Sequence, residues 1–339
     1  MDLSSKLGAA VEACVGEILG TRRRIALVDF PNYRNFGDSA IWYGEETLAQ
    51  ILRLDVVYRC TTNTFAITDL RRRQPEVIVI NGGGNLGDTW PRHQLFRERL
   101  LAEAPDLPVV QLPQSMHFSS SAAFERAKRA FGAHNDLTVL LRDDVSFERA
   151  RAQFDCSVKL CPDMAFVLQG RLGTSRESSH HRVVGLVRSD HEADGGLLVA
   201  ARERNVFVTD WPVAERAIER WRPRRKLHNF RLRVGCSEEG YREVPFHQYL
   251  TRSYLPLSRA SVKRAVGILG SGVAIVTNRL HAHILAEMLG IPHVAVDTTN
   301  GKISAFHRTW FTGSPLAHLA PTAPEACDLA ITLANAGRL

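Results

Sequence analysis

Short apolar runs alternate with stretches of helical period from one end of the chain to the other. In the first half, RIALVDF (24–30), LDVVYRC (54–60), EVIVING (76–82), PVVQLPQ (108–114), LTVLLRD (137–143) and VKLCPDM (158–164) read as strands. Between them SAIWYGEETLAQILR (39–53), FRERLLAEA (96–104) and FERARAQF (147–154) read as helices. Near-continuous apolar strands separated by helices predict parallel sheets with crossover connections. GRLGTSRESSHH (170–181) is polar and lacks periodicity, which makes it the expected linker. A second series follows: RVVGLVRS (182–189), NVFVTDW (205–211), GVAIVTN (272–278) and PHVAVDT (292–298). The expected organisation is two α/β, Rossmann-like domains, residues 1–170 and 181–316, facing one another. The last helical pattern, within 317–339, is expected to fold back across the N-terminal domain.

The first segment, MDLSSKLGAAVEACVGEILGTRRR, carries Glu12 and Glu17 inside its apolar part, and its arginines follow that part. It reads as an amphipathic helix of a cytoplasmic protein, not as a secretory leader. With 339 residues, 45% of them apolar and 23% charged, the composition is that of a soluble globular protein. No apolar run approaches the roughly 18–20 residues of a membrane span. Six cysteines without a CxxC pair point to reduced thiols, with no metal site expected. A net charge of +7 suits an anionic partner without choosing one. WRPRRKLHNFRLRV (221–234) reads as a solvated surface or cleft-side loop, and nucleic acid is not expected as a partner.

Chemistry in parallel sheets collects beyond the carboxyl ends of strands. In NYRNFGDSAIWYGEE (32–46), Gly37 permits a tight turn and Asp38 serves as a cap or an acidic side chain. In INGGGNLGDTW (80–90), successive glycines predict a nest of exposed N–H groups, and Gly87-Asp88 repeats the Gly37-Asp38 pair. Neither dinucleotide nor P-loop spacing is present. Two aspartates facing one pocket would serve to activate sugar hydroxyls. LPQSMHF (112–118), LRDDVSF (141–147), CPDMAF (161–166) and VRSDHE (187–192) each place polar side chains past a strand, as a long polar cleft would.

TNRLHAHILAEMLGIP (277–292) carries the sharpest signal. Thr277 or Asn278 can cap a helix whose Leu280, Ile284 and Met288 form an inward stripe. Arg279 and His281 then crowd an end that is already positive, which predicts a vacant anion socket. Lys302 lies past the next strand and within reach of the same anion; His283 reads equally as packed or functional.

Together the motifs NFGDSAI, NGGGNLGD, LPQS, LRDDVSF, CPDMAF and TNRLHAHILAEMLGIP followed by DTTNGKI resemble the polysaccharide pyruvyl transferase family. The resemblance implies a GT-B-like pair of Rossmann-like domains with the active site between them. It also implies transfer of an enolpyruvyl-derived unit from phosphoenolpyruvate (PEP) to two sugar hydroxyls, forming a pyruvate ketal and releasing phosphate. PEP is then a donor substrate, and no cofactor or metal is required. On this basis Arg188, Arg279, Leu280, His281 and Lys302 hold PEP, while His281, Asp38 and Asp88 supply acid–base chemistry. Asn35, Gly83, Gly84, Asn85, Gln114, Arg142 and Asp163 are expected on the acceptor side. Ser115 stands where a glycine is common and Asn300 where an aromatic often precedes Gly-Lys, and both bear on acceptor fit. The acceptor is expected to be a sugar or lipid-linked oligosaccharide, with peripheral association at the inner membrane face suggested by the basic run. A nucleotide-sugar glycosyltransferase of the same architecture, with Glu287 on a ribose, and a non-catalytic glycan-binding protein are the alternatives.

Overall fold

The computed structural model describes residues 2–33, 35–173, 181–188, 195–211, 245–297 and 301–336. The first domain runs α1 (Leu3–Leu19), β1 (Arg24–Val28), α2 (Phe36–Ile51), β2 (Asp55–Arg59), α3 (Ile67–Arg73), β3 (Val77–Ile80) and β4 (Gly83–Gly87). It continues through α4 (Pro91–Glu103), β5 (Val109–His117), α5 (Ser121–Gly132), β6 (Leu137–Leu141), α6 (Asp144–Gln153), β7 (Ser157–Leu160) and a 3₁₀ turn, Met164–Leu168. The second comprises β8 (His181–Leu186), α7 (Gly196–Glu203), β9 (Phe207–Thr209), α8 (Pro245–Leu269), β10 (Gly272–Thr277) and α9 (Leu280–Met288). Then come β11 (His293–Val296), α10 (Lys302–Trp310), β12 (Ala317–Ala320) and α11 (Ala323–Ala336).

The strands form two sheets, ordered β2-β1-β3-β5-β6-β7, with β4 beside β5, and β12-β11-β10-β8-β9. Every pairing is parallel; Val79 lies opposite Val110 in the first, and Ile275 opposite Val184 in the second. Central strands such as Val77–Ile80 are buried along their length, as helices on both faces require. This is the two-domain Rossmann-like, GT-B-like arrangement that the alternating pattern and the motifs predicted. Among the described residues no helix is long and apolar enough to cross a membrane.

The glycine-rich segment departs from expectation, because 83–87 is a strand beside β5 and not a loop. Gly87 is needed there: its φ is 140°, and a Cβ would strike the backbone carbonyl of His117.

The C-terminal helix does not cross back. β12 is the edge strand of the second sheet, and α11 buries Ala326, Cys327, Ala330 and Ala334 in that domain's own core. The bridging helix is α8. Its Tyr254 stacks on Phe30 of the first domain at 3.8 Å, with Trp42 edge-on to both rings. Its Val262, Val266 and Leu269 enter a core shared by Leu7, Phe36, Ala40 and Phe166 of the first domain and Leu280, Ile284 and Phe306 of the second. The domains are therefore welded along an apolar seam. The expected linker, apart from its ends, and the basic run 221–234 lie outside the described residues.

α9 is buried on every side rather than along one stripe. Beneath it His283 is packed, with Nε2 3.1 Å from His307 Nδ1 and its ring edge-on to His293 and Phe311. Burial and the neighbouring histidines hold His283 well below the usual imidazole range and His307 lower than usual. Burial brings His293 down to about 4, despite its bond to the Ile291 carbonyl. Glu287, 3.9 Å from His293, is itself pushed up by burial. The unfolded chain thus takes up protons that the folded cluster refuses, so stability falls as pH drops from about 6.5 toward 4. Melting temperature is expected to decline over that window, and less steeply in His293→Gln; an unchanged slope would remove the cluster as its cause.

Candidate active site

The carboxyl ends of both sheets open onto one cleft of about 490 Å³. The first domain contributes Tyr33, Asn35, Asp38, Gly84, Asn85, His93 and Arg142. The second contributes Arg188, Trp211, Asn278, Arg279, Leu280, His281 and Lys302.

At the head of α9, Thr277 and Asn278 do not act as caps. Thr277 Oγ1 donates to the Leu186 carbonyl at 2.6 Å, and Asn278 Oδ1 accepts from Arg188 N at 2.8 Å, lacing β10 to the end of β8. Arg279 occupies the N-cap position, and no side chain caps the helix. The first turn therefore faces the cleft with its partial positive charge unrelieved by a cap.

The socket is not, however, lined by an unanswered guanidinium. Arg279 Nε and Nη2 reach the two carboxylate oxygens of Asp210 at 2.7 and 2.9 Å. The Arg279 side chain is only 11% exposed, so a carboxylate partner is what makes that burial tolerable. Asp210, directly after β9, is a site residue that the sequence reading passed over, although its place beyond an apolar strand is the same signal used elsewhere.

His281 projects from the first turn of α9 against the first turn of α2. A Cβ on Gly37 would overlap the His281 side chain at Nδ1, Cγ and Cβ. Gly37 is therefore required for this close approach, inside a helix, rather than for a tight turn. His281 Nε2 is buried without a hydrogen-bond partner, 3.5 Å from Asp163 Oδ2. Asp163 is fully buried; its Oδ2 takes Arg142 Nη1 at 2.7 Å and its Oδ1 takes Ala165 N at 2.8 Å. Burial pushes this carboxyl up, but His281, Arg142 and the Ala165 N–H outweigh it and hold it well below the ordinary range. Asp163 thus ties Arg142 to His281 across the domain boundary and does not line the cleft. Ser115 is equally remote: it accepts from Arg142 Nε at 3.0 Å and donates to Asp143 at 2.6 Å, and so braces Arg142.

On the opposing wall, Asn35 caps α2 through Gly37 N at 2.9 Å, leaving Asp38 half-buried in the first turn. Lys302 Nζ reaches across to 3.5 Å from the Gly84 carbonyl. His93 faces the cleft with Nδ1 2.9 Å from both oxygens of Asp29, a buried residue held at φ 69° at the end of β1. The carboxylate holds Nδ1 as a proton-bearing nitrogen and fixes the orientation of the ring. No spacing in the sequence joins residues 29 and 93; only the fold does.

The remaining expected residues are placed elsewhere. Asp88 accepts from Ser119 N and Ser120 N at 2.9 and 2.6 Å, so it anchors the start of α5 and does not join Asp38. Gly83 and Gln114 are buried behind the wall, Gln114 bonding Asn85. Glu287 is buried against Ser314, 2.8 Å away, and is not presented to a ribose.

A profile of the polysaccharide pyruvyl transferase family matches residues 35–300, which span both walls of this cleft. The chain belongs to that family. It is a transferase. Pyruvyl transferase 1 of Schizosaccharomyces pombe is 28% identical over 323 residues, covering 92% of this chain and 75% of that protein. The Bacillus subtilis protein named "Putative pyruvyl transferase EpsO" is 28% identical over 315 residues, covering 92% and 93%. A crystal structure of an uncharacterised Klebsiella pneumoniae protein superposes with a TM-score of 0.59 at 15% identity, covering 93% and 99%, a likeness of fold alone.

Gly37→Ala is expected to lower stability by about 1–3 kcal/mol, because the methyl must displace either the His281 ring or the domain seam. Urea denaturation checks it; wild-type stability would show that the contact yields freely.

Proposed function

We propose that this transferase moves an enolpyruvyl-derived unit from PEP to two hydroxyls of one sugar in a glycan, forming a pyruvate ketal and releasing phosphate. One observation carries the reading: His281, its Nε2 set 3.5 Å from the buried carboxylate of Asp163, stands at the uncapped end of α9 in a cleft that also holds Arg142, Arg188, Arg279 and Lys302. A small trianionic ligand matches that density of cations and helix N–H groups. Asp210 already answers Arg279, so PEP meets a paired guanidinium instead of an empty socket.

In the proposed sequence, His281 protonates the methylene carbon of PEP, and C2 becomes oxocarbenium-like. A sugar hydroxyl adds to C2 as Asp38 takes its proton. The C2–O bond to phosphate then breaks, with the cations holding the departing charge. The second hydroxyl closes the ring and releases the second proton. The acceptor wall is the first-domain side, with Asn35, Gly84 and Asn85 beside Asp38. The relative's name, EpsO, supports an exopolysaccharide intermediate as acceptor, which a lipid-linked oligosaccharide at the inner membrane face would satisfy. The nucleotide-sugar alternative loses its ribose contact with the burial of Glu287.

Incubation with PEP and a glycan acceptor is expected to give phosphate and a ketal product by mass spectrometry; release of a nucleotide from a sugar donor instead would overturn the proposal. His281→Ala is expected to lose about 10²–10⁴-fold in rate while remaining folded, the usual effect of removing a positioned acid. Near-wild-type turnover would remove His281 from the mechanism.

A further inference from the structure

The first domain buries an arginine that no sequence pattern marked. Arg97, on α4, is 1% exposed and gives its hydrogen bonds to neutral amides. Nε reaches Gln111 Oε1 at 2.5 Å, Nη1 reaches Gln94 Oε1 at 2.9 Å, and Nη2 reaches Asn85 Oδ1 at 2.9 Å. Burial brings this guanidinium down to about 10, with Asp29 and Glu98 acting the other way. A charge kept in such a place has consequences for whatever it holds.

What it holds is the polarity of Asn85. Gln114 Nε2 donates to the same Asn85 Oδ1 at 3.0 Å, so that oxygen takes two N–H donors. Gln114 cannot be reversed, because its own Oε1 accepts from Asn85 N at 3.0 Å and its Nε2 also donates to the Asn81 carbonyl at 3.1 Å. With the oxygen fixed inward, the NH₂ of Asn85 is the group turned to the cleft. A second observation agrees. The Tyr33 hydroxyl bonds the side chains of both Asp38 and Asn85, and the Asn85 bond favours its ionised form, as an N–H donor does.

We propose that Asn85 reads the acceptor sugar as a hydrogen-bond donor, and that Arg97 is the positioning residue that fixes this polarity. The proposal rests on the pyruvyl-transfer reading. A sugar hydroxyl that takes the place of the Tyr33 hydroxyl gives its proton to Asp38 and receives one from Asn85 Nδ2, so the pair selects a neutral sugar hydroxyl and orients its lone pair. A carboxylate-bearing or phosphorylated group at that point would meet Asp38 as a like charge.

Asn85→Asp separates the roles, since it keeps the shape, gives Arg97 a carboxylate partner, and turns the cleft-facing donor into an acceptor. Melting temperature, PEP affinity by calorimetry, and initial rates with PEP and a panel of p-nitrophenyl hexosides and N-acetylhexosaminides are measured. The expected result is a fall of about 10–100-fold in acceptor kcat/KM, the range of one lost hydrogen bond. PEP affinity stays within threefold and melting is not lowered. In Arg97→Met acceptor KM rises about tenfold at unchanged PEP affinity, and Arg97→Lys recovers part of the loss. A merely structural arginine would lower melting and leave acceptor KM alone. Acceptor kcat/KM within threefold of wild type in Asn85→Asp overturns this inference by itself, whereas a wild-type protein that forms no ketal from any glycoside overturns the pyruvyl-transfer reading with it.

Discussion

The contact between the first turns of α2 and α9, with Gly37 pressed on the His281 ring, is the constraint around which the rest of the molecule is arranged. Two helix N-terminal turns are brought into contact across a domain boundary, which places positive potential from both ends close together. Such an approach is unfavourable unless something else holds the helices there. The shared apolar core supplies that force: Phe36 and Ala40 of α2 and Phe166 of the 3₁₀ turn pack with Leu280, Ile284 and Phe306. Tyr254 stacked on Phe30 anchors α8 to the first domain at the other end of the seam.

Within that frame the charges divide into those that build the cleft and those that face its contents. Asp163 and Arg142 form a buried pair that also holds His281, and removing either partner would strand a charge in a dry place. Asp210 does the same for Arg279. The cation-rich character of the site therefore comes from geometry as much as from net charge. Paired guanidiniums still present N–H groups, and the helix end adds donors that no side chain caps. A preorganised site of this kind needs little rearrangement when an anion enters.

The two walls differ in how they are held. The second-domain wall rests on strand ends laced by Thr277 and Asn278. The first-domain wall rests on an amide network behind Asn85, with Asp29 setting His93. The second-domain wall is thus set by strand ends and the first-domain wall by hydrogen-bond polarity around Asn85 and His93.

The alternation of apolar runs with helical stretches was enough to give two parallel-sheet domains, and short motifs placed Asp38, Asn85, Arg142, Arg188, Arg279, His281 and Lys302 at strand or helix ends that do share the cleft. Those features are local: periodicity follows from backbone geometry, and a polar residue past a buried strand sits at a sheet edge whatever its neighbours. Partnership is not local. Asp88 and Asp163 carry the same strand-end signature as the cleft residues, yet one anchors α5 and the other is sealed beneath His281. Nothing in the order of residues joins Asp29 to His93, Asp210 to Arg279 or Arg97 to Asn85. The path of α8, not α11, between the domains is likewise a matter of which apolar face finds a complementary surface. The chain by itself determined which elements form and which edges carry chemistry. Only tertiary packing decided which charges are answered from within, because burial and distance between residues far apart in sequence set the cost of leaving a charge unpaired.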